Sequence, residues 1–297
     1  METKYNGEKR TSRLAYLFRS LWSLTNRDLK KWYLAPLLLI MSLVQPVIWL
    51  GLFGKAMNLG AIFTNSSINI AVLNIPKQVL NSIGSLFMTS AFGTTDYFSF
   101  LAVGMLAFIV LFTSMMSGMS IVWDRRFGFL DKILTTPVNR GTIVIAKILN
   151  STIRSLVQAA VVLVIAVLLG MSVAHLSVGG ILLTFLALFL LSFGMSSLFV
   201  MLALRSKDWQ SQMMVVNLLN LPLLFASNAF FPTKFMPSWL QAIASVNPVS
   251  FAINIGRNLL LNIPIPVALS SEFAYLGIFA VAITAISIIL SWRLLKG

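Results

Sequence analysis

Long apolar runs separated by short polar segments set the pattern of this 297-residue chain. A helix needs roughly 20 apolar residues to cross a bilayer. Six stretches meet that need, at about 34–54, 98–122, 148–171, 180–204, 213–231 and 273–290. Ahead of them, Leu14, Leu17, Phe18, Leu21 and Trp22 follow the i, i+3, i+4, i+7, i+8 spacing of an apolar helix stripe. Arg13, Arg19, Arg27, Lys30 and Lys31 surround that stripe. The pattern predicts a helix lying in the membrane interface with its basic heads among anionic lipids.

Prolines punctuate the rest. Pro36 opens the first run and Pro46 is expected to kink it. The segment 55–98 reads as a long external loop whose part at 83–92 touches the membrane surface, and its Asn65-Ser66-Ser67 matches a glycosylation acceptor. The segment 232–271 is too broken for a span, and its five prolines leave short helices at 238–246 and 249–261 that dip into the outer leaflet. The expected organisation is a tail with an interfacial helix (1–33), one transmembrane domain (34–292) and a short tail (293–297).

Composition narrows the class. The apolar fraction is 58%, charged residues make up 10% and mean hydropathy is +0.90. A soluble domain carries about 25% charged residues, so the chain reads as an all-α polytopic membrane protein. There is no cysteine and only one histidine, His175, in a short loop. Thiolate metal sites, a cysteine nucleophile and histidine-based pairs are thereby excluded within one chain. The eight acidic residues do not cluster into a hydrolase constellation.

The net charge of +14 follows from topology rather than from nucleic acid. With six spans and Arg154 counted at the membrane edge, the cytoplasmic segments hold 18 of the 22 lysines and arginines. Only Lys55, Lys77, Lys234 and Arg257 fall outside. The positive-inside rule then places both termini in the cytoplasm. Arg154, a turn or two inside the third run, is expected to snorkel to headgroups rather than line a path.

Three features bear on chemistry. Gly51-Leu52-Phe53-Gly54-Lys55-Ala56 has neither the glycine spacing nor the hydroxyl residue of a phosphate-binding loop. No acidic residue is deep in a span, since Asp96 and Glu272 fall near the external boundary, so an ion relay is also missing. Energy must come from another protein, or transport is passive. Asn217, Asn220 and Pro222 interrupt the fifth run, and amides at that depth need partners in a bundle interior. With Asn228 and Arg257 they are candidates for a substrate path or external gate; the alternative reading of Arg257 is a helix-capping ion. Ser192, Gly194, Ser196 and Ser197 are small enough for close helix packing.

The stretch 123–147, WDRRFGFLDKILTTPVNRGTIVIAK, stands between the second and third runs. Phe127, Leu130 and Leu134 recur at helical spacing, and Thr135-Thr136-Pro137 stops the helix. A short amphipathic helix of this kind docks into a partner's groove.

Three blocks resemble the permease subunits of ABC type-2 exporters, a family that includes daunorubicin-type drug exporters and polysaccharide exporters. They are Asp96-Tyr97-Phe98-Ser99-Phe100-Leu101 with Gly104, the run from Arg125 to Arg140, and Phe230-Phe231-Pro232 followed by Met236 to Gln241 and Asn247-Pro248-Val249-Ser250-Phe251 up to Arg257. The chain departs from the family pattern at Val103, often proline, and at Ala226-Ser227-Asn228, often Leu-Ser-Gly. Asp124 or Asp131 stands for the usual loop glutamate.

The resemblance implies six spans, an interfacial helix, a coupling helix in the Arg125–Pro137 loop and short external helices. It also implies two permease subunits, simplest as a homodimer, with two separate ATPase subunits that hold the ATP and magnesium. This chain itself binds no cofactor on that reading. Arg125, Arg126, Phe127, Gly128, Leu130, Asp131, Leu134, Pro137 and Arg140 would meet the ATPase. The expected activity is export of an amphipathic, drug-like or lipid-linked substrate across the plasma membrane. A polysaccharide or glycolipid exporter of the same family, or an energy-independent channel or scaffold, are the alternatives.

Overall fold

A computed structural model describes residues 2–55, 77–136, 138–206 and 208–294. Those residues form helices and turns without strands. The helices are α1 (Glu2–Tyr33), α2 (Pro36–Trp49), α3 (Lys77–Phe92), α4 (Tyr97–Arg126), α5 (Phe129–Leu134), α6 (Arg140–Leu168), α7 (Val178–Arg205), α8 (Trp209–Phe225), α9 (Ser238–Ala244), α10 (Pro248–Leu261) and α11 (Leu269–Leu294).

By length and composition, four helical stretches among the described residues can cross a membrane: Ser82–Arg126, Arg140–Leu168, Val178–Arg205 and Leu269–Leu294. The first and fifth predicted spans are shorter than expected. α2 carries Pro46 and runs into a π-helical turn, Leu50–Lys55, where the Leu50 N–H reaches both Pro46 and Val47 carbonyls. Proline cannot donate within the helix, and the backbone slips to wider bonding just beyond it. α8 stops at Phe225, three residues after Pro222, and 226–231 leaves the helix altogether. The third span instead starts early. α6 begins at Arg140, where the Asn139 side chain caps the Gly141 N–H, so residues assigned to a loop are helical. The predicted external loop contains α3, whereas the Asn65 triplet lies outside the described residues.

α4 is the axis of the bundle. Asp96 caps its first turn through the Phe98 and Ser99 amides, and most of its residues are buried against α6, α7, α8 and α10. A seam of hydroxyls joins the long helices: Ser155 to Ser192 at 2.7 Å, Ser196 to Ser151 at 2.9 Å and Ser197 to Thr284 at 2.7 Å. Apolar surroundings supply little hydrophobic drive between helices, so close packing and such bonds hold them together. The expected role of the small residues of α7 is met. Gln158 adds a second tie, bonding Thr113 of α4 and, at 2.5 Å, Ser42 of α2.

The segment 232–271 contains the two predicted short helices, but α10 is no surface appendage. Its face packs against α4, α7 and α11. Asn247 caps α10 by accepting from Val249 and donates to the Leu223 and Ala226 carbonyls, at 2.7 and 3.0 Å. The carbonyls freed at the broken end of α8 are thus satisfied by the Asn247-Pro248 turn.

Candidate functional site

Two of the three recognised sequence blocks meet at the Asp96 end of α4. Gly104 has no side chain, and the Ala229 carbonyl occupies the space a Cβ would need. The non-helical 226–231 segment therefore lies directly on α4. Arg257, 3% exposed, bonds across this junction. It donates to the Phe100 carbonyl at 3.1 Å, to Asn228 at 2.7 Å and to Ala229 at 3.0 Å, with its guanidinium 3.3 Å from the Phe100 ring centre. The planar fork of arginine matches this divergent set of acceptors. Arg257 thus clamps backbone from two other segments rather than capping its own helix. Asn228 sits beside it, donating to Asn254 at 2.5 Å. The two sequence candidates are brought together here, away from Asn217, Asn220 and Pro222. Asn217 and Pro222 are exposed on α8, in a face with Met214, Leu218 and Leu221, and the Asn220 Oδ1 is buried without a partner.

The opposite, basic end holds the amphipathic loop. α4 ends at Arg126, Gly128 takes a left-handed backbone (φ 66°), and α5 follows. Such a φ is easy only for glycine, which lets the chain turn in one residue. The structure splits the predicted apolar face. Leu130 and Ile133 are buried against Ile121, Val122, Ile143 and Leu204 of the chain itself, with Leu134 partly buried beside them. Phe127 points outward and is 73% exposed. The reason is the sharp turn at Gly128, which removes Phe127 from the helix that carries Leu130. Arg126 and Asp131 are also exposed, and Arg140 is half-buried at the start of α6. Arg125 is engaged inside the chain, donating to the Ser206 carbonyl at 2.8 Å and the Leu204 carbonyl at 3.2 Å. Pro137 lies outside the described residues.

Beneath this loop is an ionic joint. Lys147 of α6, 6% exposed, contacts Asp28 of α1 at 2.6 Å and Asp124 of α4 at 2.5 Å. Arg27 bonds Asp28 at 2.7 Å and stacks over Phe129 of α5, 4.4 Å from its ring centre. Four helices, α1, α4, α5 and α6, converge on these contacts. Arg27 is therefore turned toward protein, contrary to the lipid-facing role read from the basic surround of α1, whereas Lys31 stays exposed at the edge of the joint; Phe18 and Trp22 remain exposed as that stripe requires. Asp124 is committed to Lys147, which leaves Asp131 as the exposed acid of the loop.

Burial acts to raise the Asp28 pKa, but Lys147 and then Arg27 outweigh it and hold the carboxyl below its ordinary value. A depressed carboxylate stabilises the fold above its unfolded pKa and loses that contribution as pH falls through the lowered value. Acid unfolding below the ordinary carboxylate range should therefore be gentler in Asp28→Asn than in the native chain, as followed by intrinsic fluorescence.

The sequence reading missed this joint. Its signal was Asp28, the one acid in the basic stretch 9–33 of α1, at a helical face shared with Trp32. A cavity of about 440 Å³ opens beside the joint, with Trp32, Met116, Met119 and Trp209 on its walls and Lys31 and Arg154 at its edge. Arg154 lies 5.3 Å from the Trp32 ring centre, and its Nε and the Trp32 Nε1 have no protein partner.

This fold is a polytopic helical bundle with a hinged apolar helix and a buried ionic joint at one end, and an arginine-clamped re-entrant segment at the other. Its long apolar helices mark a polytopic membrane protein. The chain belongs to the ABC-2 type transporter family, whose model matches residues 19–261. It is 30% identical over 253 residues to the "Putative transport permease ycf38" of Cyanophora paradoxa, covering 84% of this chain and 78% of that protein. It is 31% identical over 238 residues to the protein of the same name in Pyropia yezoensis, covering 80% and 72%. It is also 28% identical over 167 residues to the daunorubicin resistance ABC transporter permease protein DrrB1 of Streptomyces coeruleorubidus, covering 56% and 59%.

Proposed function

We propose that this chain is the membrane-spanning subunit of an exporter driven by a separate ATP-binding subunit, which docks on Phe127 at the basic end. The observation that carries the reading is the split loop. One face of α5 is locked into the bundle through Leu130 and Ile133, while Phe127 is presented outward with Arg126 and Asp131. A push on Phe127 passes through Gly128 to α5, and through Phe129 and Arg27 to the joint that grips α1, α4 and α6. ATP and magnesium belong to the partner, and this chain supplies the lever.

The charge asymmetry supports placing the basic end and both termini in the cytoplasm of a cell whose plasma membrane the chain spans. The amide of Asn217, exposed on an apolar face of α8, is costly against lipid and suits contact with a second copy of the chain. Two copies with two ATP-binding subunits make the working unit. The cavity beside the joint, with tryptophan and methionine walls and unpartnered N–H groups, suits an amphipathic, drug-like or lipid-linked substrate taken from the cytoplasm or inner leaflet.

Co-expression with a cognate ATP-binding subunit tests the reading. Phe127→Asp should yield monodisperse protein that no longer co-purifies with the ATPase. Leu130→Asp should instead lose folded protein, because a charge enters the chain's own core, at a cost of several kcal/mol. Undiminished co-purification of Phe127→Asp, or ATP-independent transport by the chain alone in liposomes, refutes the proposal.

A further inference from the structure

At the end of the bundle opposite the ionic joint, a cavity of about 280 Å³ lies between the 226–231 segment, α9, α10 and the start of α11. Its wall contains a directed chain of amides. Asn254 donates its Nδ2 to Glu272 Oε1 at 3.2 Å and accepts from Asn228 Nδ2 at 2.5 Å. A carboxylate only accepts, so it fixes the orientation of Asn254 and, through it, of Asn228.

What remains is an excess of acceptors. Glu272 Oε2, Asn228 Oδ1 and Ser250 Oγ have no protein partner, and their residues are 1%, 7% and 4% exposed. Ser250 is one helical turn from Asn254 on α10, and Asn228, Ser250 and Glu272 all line this cavity. No base is paired with Glu272 among the described residues. Arg257 is committed to three backbone carbonyls and the Phe100 ring, and Lys234 donates to the Ser90 carbonyl. An uncompensated carboxylate in such a place is costly.

We infer that this cavity binds a small monovalent cation, a sodium ion or an ammonium group, through Glu272, Asn228 and Ser250. One carboxylate with two neutral oxygens suits a single positive charge. Calcium takes six to eight oxygens, and transition metals favour nitrogen or sulfur ligands. The cavity exceeds a bare ion and admits water as further ligand. Bound there, the cation ties α10 and α11 to the segment that Arg257 clamps. The inference does not depend on what the chain transports or on its ATPase.

The test is thermal unfolding of the purified full chain in detergent, with sodium chloride or ammonium chloride replacing N-methylglucamine chloride at constant ionic strength. The midpoint should rise saturably with either small cation, the stronger response naming the preferred ion. In Glu272→Gln the dependence should vanish. Ser250→Ala keeps the charge and should retain it, with half-saturation moved upward about tenfold. A native midpoint indifferent to both ions, or an undiminished response in Glu272→Gln, overturns the inference. Infrared spectroscopy of the native chain covers the case in which that variant fails to fold. A protonated-carboxyl band unchanged across the sodium series would show that the site holds a proton and water instead.

Discussion

Arg257→Gln should lose most folded protein, because each buried carbonyl left without its donor costs about 1–3 kcal/mol. Three carbonyls, those of Phe100, Asn228 and Ala229, would lose charge-assisted donors. Arg257→Lys should fare little better, because an ammonium on a flexible stem cannot reach divergent acceptors and stack on Phe100 together. Gly104→Val should reproduce the defect from the other side, since its Cβ meets the Ala229 backbone, which has no soft side chain to give way. Detergent-solubilised yield and thermal unfolding read both. Normal folding of Arg257→Gln would remove the clamp: lost transport would then return this residue to the candidates for a substrate contact, and full transport would return it to helix capping.

Lys147→Ala should destabilise by about 3–5 kcal/mol, leaving Asp28 and Asp124 facing each other with Arg27 as the cation still within reach of both. Stability alone does not establish transmission. A triple variant, Lys147→Met with Asp28→Leu and Asp124→Leu, removes the three most buried charges and fills the space with apolar groups, leaving Arg27, 26% exposed, to solvent. Such replacements often restore or raise stability. The expected result is native-like unfolding with ATP-driven transport reduced at least tenfold and ATPase binding at Phe127 retained. Full transport in the triple variant would mean that the joint only holds the helices together.

The two ends differ in how far the residues alone revealed them. The apolar stripe at Phe18 and Trp22, the proline-broken 232–271 region and the small residues of α7 declared themselves through spacing, which depends on local geometry. Phe127 and Leu130 shared a helical spacing yet face opposite ways, because one left-handed residue at Gly128 reset the direction of the chain. Arg27, Lys31 and Lys147 read as headgroup and topology charges, since a basic residue near a membrane suits anionic lipid or an unseen acid equally well. Glu272 read as a boundary residue. α10 packs against α11 and buries it, while Asn254 reaches it from that helix.

The amino-acid sequence by itself determined that this is a helical membrane protein with a charge gradient, a broken penultimate region and an amphipathic loop. Those properties follow from the length, period and polarity of contiguous residues, and the family resemblance drew on the same blocks. Tertiary structure alone decided which cations have partners, which face of the loop is free and where polar oxygens gather without donors. Those outcomes rest on contacts between residues as far apart as Asp28 and Lys147 or Phe100 and Arg257. No local pattern encodes such a distance; only the packing of α4 against its neighbours brings the groups within hydrogen-bonding reach.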